Sequence, residues 1–214
     1  MHRILIITIT LLVSAPLMAQ NISPDDLWSA MLKGNKQFMA GSVSYTDLIQ
    51  ERDLLDEQQS PPITILSCSD SRVPPELIFN QSLGALFVIR TAGNVVDDFG
   101  LASVEFAIAN GYTKLIIVLG HESCGAVKAS LGGADPNTPA QTALAQRIRS
   151  SFVGVPYDSR DEKNVKKAVE ANARASAAQL LAMSRLVRDA ALTEAIKVVT
   201  AYYDLTTGEV TKLE

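Results

Sequence analysis

The sequence predicts an α/β fold: a mostly parallel central β-sheet flanked by helices, with a C-terminal antiparallel hairpin strand. Three short apolar runs rich in β-branched residues indicate buried strands over 63–66, 86–89 and 115–119. Continuous apolar runs separated by helical segments are typical of parallel strands that are covered on both faces. The stretch 97–110 supplies one crossover helix, which Asn110 and Gly111 would end.

The first 19 residues have the order of a secretory signal peptide. Arg3 is followed by an apolar run over 4–13 and then by small residues up to Ala19, after which we expect cleavage. The apolar run is short of the ~20 residues that a membrane-spanning helix needs. We therefore expect an exported protein, periplasmic or secreted, with no membrane contact after cleavage. Residues 20–214 are then long enough for a single domain with a sizeable core.

An amphipathic helix is expected soon after the cleavage site. Ser23 would cap it and Pro24 would lie in its first turn, while large apolar residues recur at near-helical spacing until Gly41. This apolar stripe favours ordinary core packing. Docking of the stripe on a second subunit is left open as an alternative.

The second half of the chain is expected to alternate loops with Ala-rich helices and to close in a hairpin. Loops are predicted over 132–137 and 155–163, and helices over 138–150 and 164–188. Strands over 197–203 and 209–211 would flank a turn at 206–208. The formal net charge of −4 argues against a nucleic-acid partner, whose phosphates need a basic surface.

Both cysteines of the chain, and its only histidine besides His2, fall in two short motifs. Cys68 lies in Ser-Cys-Ser-Asp-Ser-Arg, and His121 and Cys124 lie in Gly-His-Glu-Ser-Cys-Gly. Because the motifs follow the first and third strands, the carboxyl edge of a parallel sheet would bring them together. Two thiolates and an imidazole are the ligand set of a catalytic zinc with one position left for water. The metal lowers the pKa of that water toward ~7.

A Cys68–Cys124 disulfide is the alternative, because an exported protein meets an oxidising compartment. A disulfide would give no reason for a histidine three residues before one cysteine, nor for Asp70 and Arg72 just after the other. These neighbours favour the metal site. A non-catalytic periplasmic protein, held together by the disulfide or by a structural zinc, stays open.

Asp70 and Arg72 are expected to form an ion pair beside the metal. In an extended loop, this spacing places both side chains on the same side. The arginine would keep the carboxylate ionised and oriented to accept a hydrogen bond from water on the zinc. Without Arg72, Asp70 would be a fourth ligand that closes the site.

The two motifs together resemble the signature of β-class carbonic anhydrases. Three further segments are similar to family segments in the same order: Phe87-Val-Ile-Arg90-Thr-Ala-Gly93-Asn94, Gly120-His-x-x-Cys-Gly-Ala, and Ala201-Tyr-Tyr-Asp-Leu-Thr-Thr-Gly-Glu-Val210. The resemblance implies that residues 20–214 form a β-carbonic anhydrase-like zinc domain. It also implies reversible hydration of carbon dioxide to bicarbonate and a proton by zinc-bound hydroxide, in a homodimer or homotetramer.

The resemblance also implies roles for individual residues. Cys68, His121 and Cys124 match the ligands of one Zn²⁺ per chain, and Asp70 and Arg72 match a catalytic pair. Gln81 matches a position where some members place a substrate-orienting amide, and Gly125 would offer a backbone N–H near the substrate. A related hydrolase acting on carbonyl sulfide or carbon disulfide is an alternative, because a linear substrate of that kind could use the same zinc and the same pair.

Two departures from the family pattern bear on regulation and on the substrate pocket. Members of the bicarbonate-inhibited subtype have a tryptophan in the strand before the first zinc cysteine, and 63–67 contains none. Arg90 matches an arginine of that regulatory site and, without the tryptophan, is expected to pair within the structure. We therefore expect a resting enzyme in which water, and not Asp70, occupies the fourth position of the zinc. Phe106 falls where many relatives have a tyrosine, which would remove a hydrogen bond near the pocket.

Overall fold

Five strands form one sheet in the computed structural model, which describes residues 22–42, 47–133 and 136–214. The strands are β1 Ile63–Cys68, β2 Leu86–Thr91, β3 Leu115–His121, β4 Lys197–Tyr203 and β5 Val210–Lys212. Their order is β2-β1-β3-β4-β5; β1 to β4 are parallel, and β5 runs antiparallel to β4. The predicted sheet and its C-terminal antiparallel strand are confirmed.

Eight α-helices lie in the described part of the chain. They are α1 Pro24–Met39, α2 Leu48–Leu54, α3 Pro75–Ile78, α4 Asp98–Ala109, α5 Gly125–Leu131, α6 Pro139–Arg149, α7 Glu162–Met183 and α8 Arg185–Leu192. The predictions of α1, α4 and α6 are confirmed. The short helices α2 and α3 were not predicted; α2 has seven residues, none of which is buried, and α3 has four.

The predicted signal peptide over 1–19 lies outside the described residues. Within the part of the chain that the structure describes, no helix has the length and apolar character needed to cross a membrane. The prediction of export therefore stays a prediction.

The central strand β3 is buried along its whole length because helices cover both faces of the sheet. Leu115, Ile117 and Leu119 share a core cluster with Trp28 and Met31 of α1. The alternate residues, Ile116 and Val118, share the opposite cluster with residues of α4, α7 and α8. Successive side chains of a strand point to opposite faces, so this division follows from the strand period. The core-packing interpretation of the α1 stripe is confirmed.

The predicted helix over 164–188 is wrong in one respect, because it is divided at Ser184 into α7 and α8. Ser184 has an extended backbone (φ −109°, ψ 120°), and its N–H donates to the carbonyl of Leu180. Its hydroxyl accepts from Val187 N at 3.1 Å and donates to Glu105 on α4 at 2.6 Å. No glycine or proline marks this break, which is stabilised by a contact with α4 distant in sequence. In addition, α7 begins at Glu162, inside the predicted loop 155–163, since Asp161 caps it.

Candidate metal centre

The ends of two neighbouring strands bring the three predicted metal ligands together. Cys68 is the last residue of β1 and His121 is the last residue of β3, so each strand continues two residues beyond its predicted end. Cys124 follows after a tight turn as the N-cap of α5. All three residues are buried, and their ligand atoms lie within 4.8 Å of one another. The prediction that these side chains meet at the carboxyl edge of the sheet is confirmed.

The distance between the two sulfur atoms fits a shared metal. Cys68 Sγ and Cys124 Sγ are 4.0 Å apart, and both cysteines are free. Two thiolates on a tetrahedral zinc, with Zn–S bonds of about 2.3 Å, would be separated by about 3.8 Å. The disulfide alternative gains no support from this arrangement.

The pKa values of the two thiols shift in opposite directions because the two sulfur atoms share a hydrogen bond. The hydrogen bond with Cys124, supported by the N–H of Gly93, lowers the pKa of Cys68 well below that of an ordinary thiol. The same hydrogen bond to Cys68, together with burial, raises the pKa of Cys124. The pair therefore loses its first proton readily, whereas loss of the second is opposed by the first charge and by burial, and a cation bound between the sulfurs would favour it.

His121 supplies the clearest test of whether a metal fits. Its Nδ1 lies 2.9 Å from the carbonyl oxygen of Glu122. A carbonyl only accepts, so Nδ1 carries the proton and Nε2 presents a lone pair. Nε2 is fully buried and has no hydrogen-bond partner among the described residues. Buried polar atoms are nearly always partnered, and a cation bound to the two sulfurs would satisfy this one.

Asp70 and Arg72 form the predicted ion pair, although the loop that carries them is not extended. Ser71 and Arg72 lie in a turn, in which Asp70 Oδ1 accepts from the backbone N of Arg72 at 3.0 Å. The guanidinium also donates from Nε to Oδ1 at 2.9 Å and from Nη2 to Oδ2 at 2.7 Å. This two-pronged pair holds the pKa of the Asp70 carboxyl well below its usual range. Asp70 Oδ2 lies 3.9 Å from His121 Nε2, so the carboxylate faces the metal position.

Arg90 pairs within the structure, as predicted, and holds the loop that carries Asp70. Its Nε donates to the carbonyl of Cys68 at 3.0 Å and its Nη2 to the carbonyl of Asp70 at 2.6 Å. The sequence reasoning missed the contribution of Gly93, whose N–H donates to Cys68 Sγ at 3.3 Å. Gly93 has a φ of +67°, and its presence in the segment that ends Thr-Ala-Gly-Asn was the available signal.

The two predicted substrate-binding residues lie in different settings. Gly125 begins α5, and a Cβ built on it would meet nothing within 4 Å, so there is open space beside this backbone. Gln81 lies just after α3, and its amide donates to the carbonyl of Phe79 at 2.8 Å and faces Gly34 of α1. No hydrogen bond joins Gln81 to the metal-binding side chains among the described residues. Both substrate-binding roles stay predictions.

Comparison with known proteins agrees with this site. A profile described as carbonic anhydrase matches residues 63–210. A carbonic anhydrase of Mycolicibacterium smegmatis is 44% identical over 116 residues, which make up 54% of this chain and 56% of the relative. The chain thus spans a little over half the length of the curated relatives that it matches.

Solved structures extend the likeness to the fold. The β-carbonic anhydrase CafA of Aspergillus fumigatus is 28% identical with a TM-score of 0.68, covering 87% of this chain and 90% of that one. Two β-carbonic anhydrases of Sordaria macrospora are described as tetrameric. The matched chain is 23% identical with a TM-score of 0.69, covering 75% of this chain and 84% of that one, and it supports the fold alone.

A mostly parallel sheet whose carboxyl edge presents two cysteines and a histidine places the chain among α/β proteins with a candidate metal-binding site. Within that class, the match over 63–210 shows that the chain belongs to the carbonic anhydrase family, and its structural neighbours are of the β class.

Proposed function

We propose that the protein is a zinc enzyme that hydrates carbon dioxide reversibly to bicarbonate and a proton. The observation that carries this proposal is the buried Nε2 of His121, which faces two thiol sulfurs and has no other partner. Cys68, His121 and Cys124 would hold the ion. A zinc held by three protein ligands supplies a fourth position, at which water becomes a nucleophile near neutral pH.

The chain's own residues orient this chemistry. Asp70 keeps a charged carboxylate directed at the metal position, where it accepts a hydrogen bond and fixes the direction of attack. Arg72 holds that carboxylate by two hydrogen bonds, which keep it from becoming a fourth ligand. We assign to Gly125 a backbone N–H beside the substrate; its position directly after Cys124 and the open space where a side chain would lie support this assignment.

The proton released in each cycle must leave without a second histidine. His121 is engaged as a ligand, and the only other histidine of the chain is His2. We therefore assign proton removal to buffer, to Asp70 or to a surface carboxylate.

We also propose that the enzyme is exported and that it works as a homodimer or homotetramer. The signal-peptide pattern of 1–19 supports export. Exposed aromatic side chains on α4, beside the edge strand β2, support self-association. Sequencing the N-terminus of protein recovered from the periplasm would test the proposed cleavage after Ala19.

Zinc content and stopped-flow carbon dioxide hydration test the catalytic proposal together. We expect close to one zinc per chain, and loss of both zinc and activity in Cys68→Ser, His121→Ala and Cys124→Ser, since two ligands are too few for a catalytic site. Ser69→Ala is the matched control: it changes an exposed residue of the same loop and should keep the metal and the activity.

Two results would contradict the proposal. Wild-type protein with a Cys68–Cys124 disulfide and no zinc would refute it. Zinc-loaded protein that hydrolyses carbonyl sulfide but does not hydrate carbon dioxide would assign the site to the related hydrolase.

A further inference from the structure

Glu122 ties the metal-binding loop to the turn between β4 and β5. Its side-chain Oε2 accepts from Thr206 N at 3.0 Å and from Thr206 Oγ1 at 3.2 Å. Its backbone N–H donates to the carbonyl of Tyr203 at 2.8 Å. The same hairpin therefore holds Glu122 by its main chain and by its side chain.

The carbonyl of Glu122 is the group that orients His121. It accepts from Nδ1 of the imidazole, so its position sets the rotation of the ring and the direction of the Nε2 lone pair. The next residue, Ser123, has a φ of +51°, in the left-handed region of the backbone that residues other than glycine rarely adopt. The peptide plane between these two residues is thus held away from its local preference and depends on support from outside the loop.

The turn that provides this support is itself well braced. Asp204 Oδ1 accepts from the backbone N of Thr206 and Thr207 at 3.0 and 2.8 Å. Asn35 of α1, 2% exposed, donates to the carbonyl of Gly208 at 2.8 Å and accepts from Val210 N at 2.9 Å. Thr206, which donates to Glu122, therefore lies in a turn that is held in place by hydrogen bonds of its own.

We propose that Glu122 is a positioning residue for the metal: by bridging to the β4–β5 turn, it holds its own carbonyl against His121 and so strengthens zinc binding without touching the ion. This inference rests on the proposed zinc site. Outer hydrogen bonds to a histidine ligand fix its tautomer and orientation, and losing them commonly costs about 10–100-fold in metal affinity.

Release of zinc to an excess of a coloured chelator tests the proposal on the full-length, zinc-loaded protein. Glu122→Ala should release zinc about 10-fold faster than wild type. Glu122→Gln keeps an oxygen that accepts from Thr206 and should release zinc at nearly the wild-type rate. The matched control is Glu209→Ala, which removes an exposed carboxylate of the same turn.

A second measurement separates positioning from a general effect on folding. The thermal unfolding midpoint is compared with and without zinc, because a ligand that binds the native state raises the midpoint according to its affinity. Glu122→Ala should lower the midpoint of the zinc-loaded protein more than that of the zinc-free protein. Thr206→Ala removes the hydroxyl that donates to Glu122, together with the methyl group, but keeps the backbone N–H that donates to the same oxygen. It should give a smaller acceleration of zinc release, and it is the variant to use if Glu122→Ala does not fold.

Three outcomes would overturn the inference. The first is that Glu122→Ala releases zinc at the wild-type rate. If only Thr206→Ala folds, the same result for that variant counts instead. The second is an equal fall of both midpoints, which would indicate a purely structural role. The third is a wild-type protein that binds no zinc, and this result would refute the proposed function as well. If the wild-type protein binds zinc but substitution of Glu122 does not change zinc release, this inference alone is refuted.

Discussion

Hydrogen bonds favour a different protonation state for each side chain of the candidate metal centre. Gly93 and the Cys124 thiol favour the Cys68 thiolate, and the Glu122 carbonyl fixes the tautomer of His121. Arg72 favours the charged form of Asp70. At the scale of single residues, these hydrogen bonds favour charge on Cys68 and Asp70 and leave a lone pair on Nε2 of His121.

Replacing Arg72 should free Asp70 to approach the metal. We expect Arg72→Ala to keep its zinc and to lose about 10–100-fold in carbon dioxide hydration, the range seen when a residue that orients a metal site is removed. Arg72→Lys keeps the charge but lacks the planar fork, so its activity should be intermediate. Full activity in Arg72→Ala, measured by stopped flow, would show that the pair has no catalytic role.

The dependence of activity on pH should follow a single ionisation. Arg72 lowers the pKa of Asp70, so Asp70 stays charged down to strongly acidic pH and does not titrate in the working range. The remaining ionisation is that of water activated by the metal, with an apparent pKa on the order of 7. A pH–rate profile steeper than one proton, or a structure near neutral pH with Asp70 on the zinc, would contradict this expectation.

At the scale of elements, α1 packs closely on the end of α3 and also contacts the β4–β5 turn, so these three segments are held together. Asn35 of α1 donates to the carbonyl of Ile78 at 3.1 Å and also contacts the turn. Gly34, beside it, leaves no room for a side chain, because a Cβ there would lie 1.9 Å from the carbonyl oxygen of Phe79. This approach requires glycine although the position is helical.

Gly34→Ala should therefore destabilise the protein, although the intrinsic helix propensity of alanine is higher than that of glycine. Alanine is favoured over glycine in a helix interior by about 1 kcal/mol. The clash with Phe79 should outweigh this, giving a net loss of about 1–3 kcal/mol in the free energy of unfolding, as overpacking does. Chemical denaturation measures the change, with exposed Lys33→Ala on the same helix as the control. An increase in stability for Gly34→Ala would show that the two helices separate easily.

At the scale of the whole molecule, an aromatic face is left on α4 next to the edge strand β2. Phe87 and Phe106 stack with ring centroids 6.3 Å apart, and Phe106 meets Tyr112 edge-on at 6.3 Å. Phe99, on the same helix, is 86% exposed. An open sheet edge beside exposed aromatic side chains is typical of a surface that another chain covers.

Phe99→Asp should weaken the proposed self-association without unfolding the chain. Phe99 lies in the first turn of α4, where an aspartate is compatible with the helix dipole, and its ring packs little within the subunit. We expect a smaller mass by light scattering at micromolar concentration. Leu192→Asp on α8, also highly exposed, should leave the mass of wild type unchanged. Equal masses for Phe99→Asp and wild type would exclude this face as the contact.

Several features of this protein follow from its sequence alone, because they depend on local pattern and on residue chemistry. Apolar β-branched runs predicted three strands of the parallel sheet, and the scarcity of cysteine and histidine singled out the candidate metal ligands. Signature motifs gave the family, and the spacing of Asp70 and Arg72 gave their pairing. These signals are strong because each one is contained within a few neighbouring residues.

Other features were decided only by tertiary contacts. The break at Ser184 depends on Glu105 of α4, and the need for glycine at position 34 depends on the carbonyl of Phe79, which directly follows α3. The orientation of His121 depends on Glu122, which Thr206 holds from a turn 84 positions away. Hydrogen bonds and steric limits between segments distant in sequence leave no periodic trace in either segment. The sequence therefore determines which residues could bind the metal, and the packing of the sheet and its hairpin determines how they are aimed.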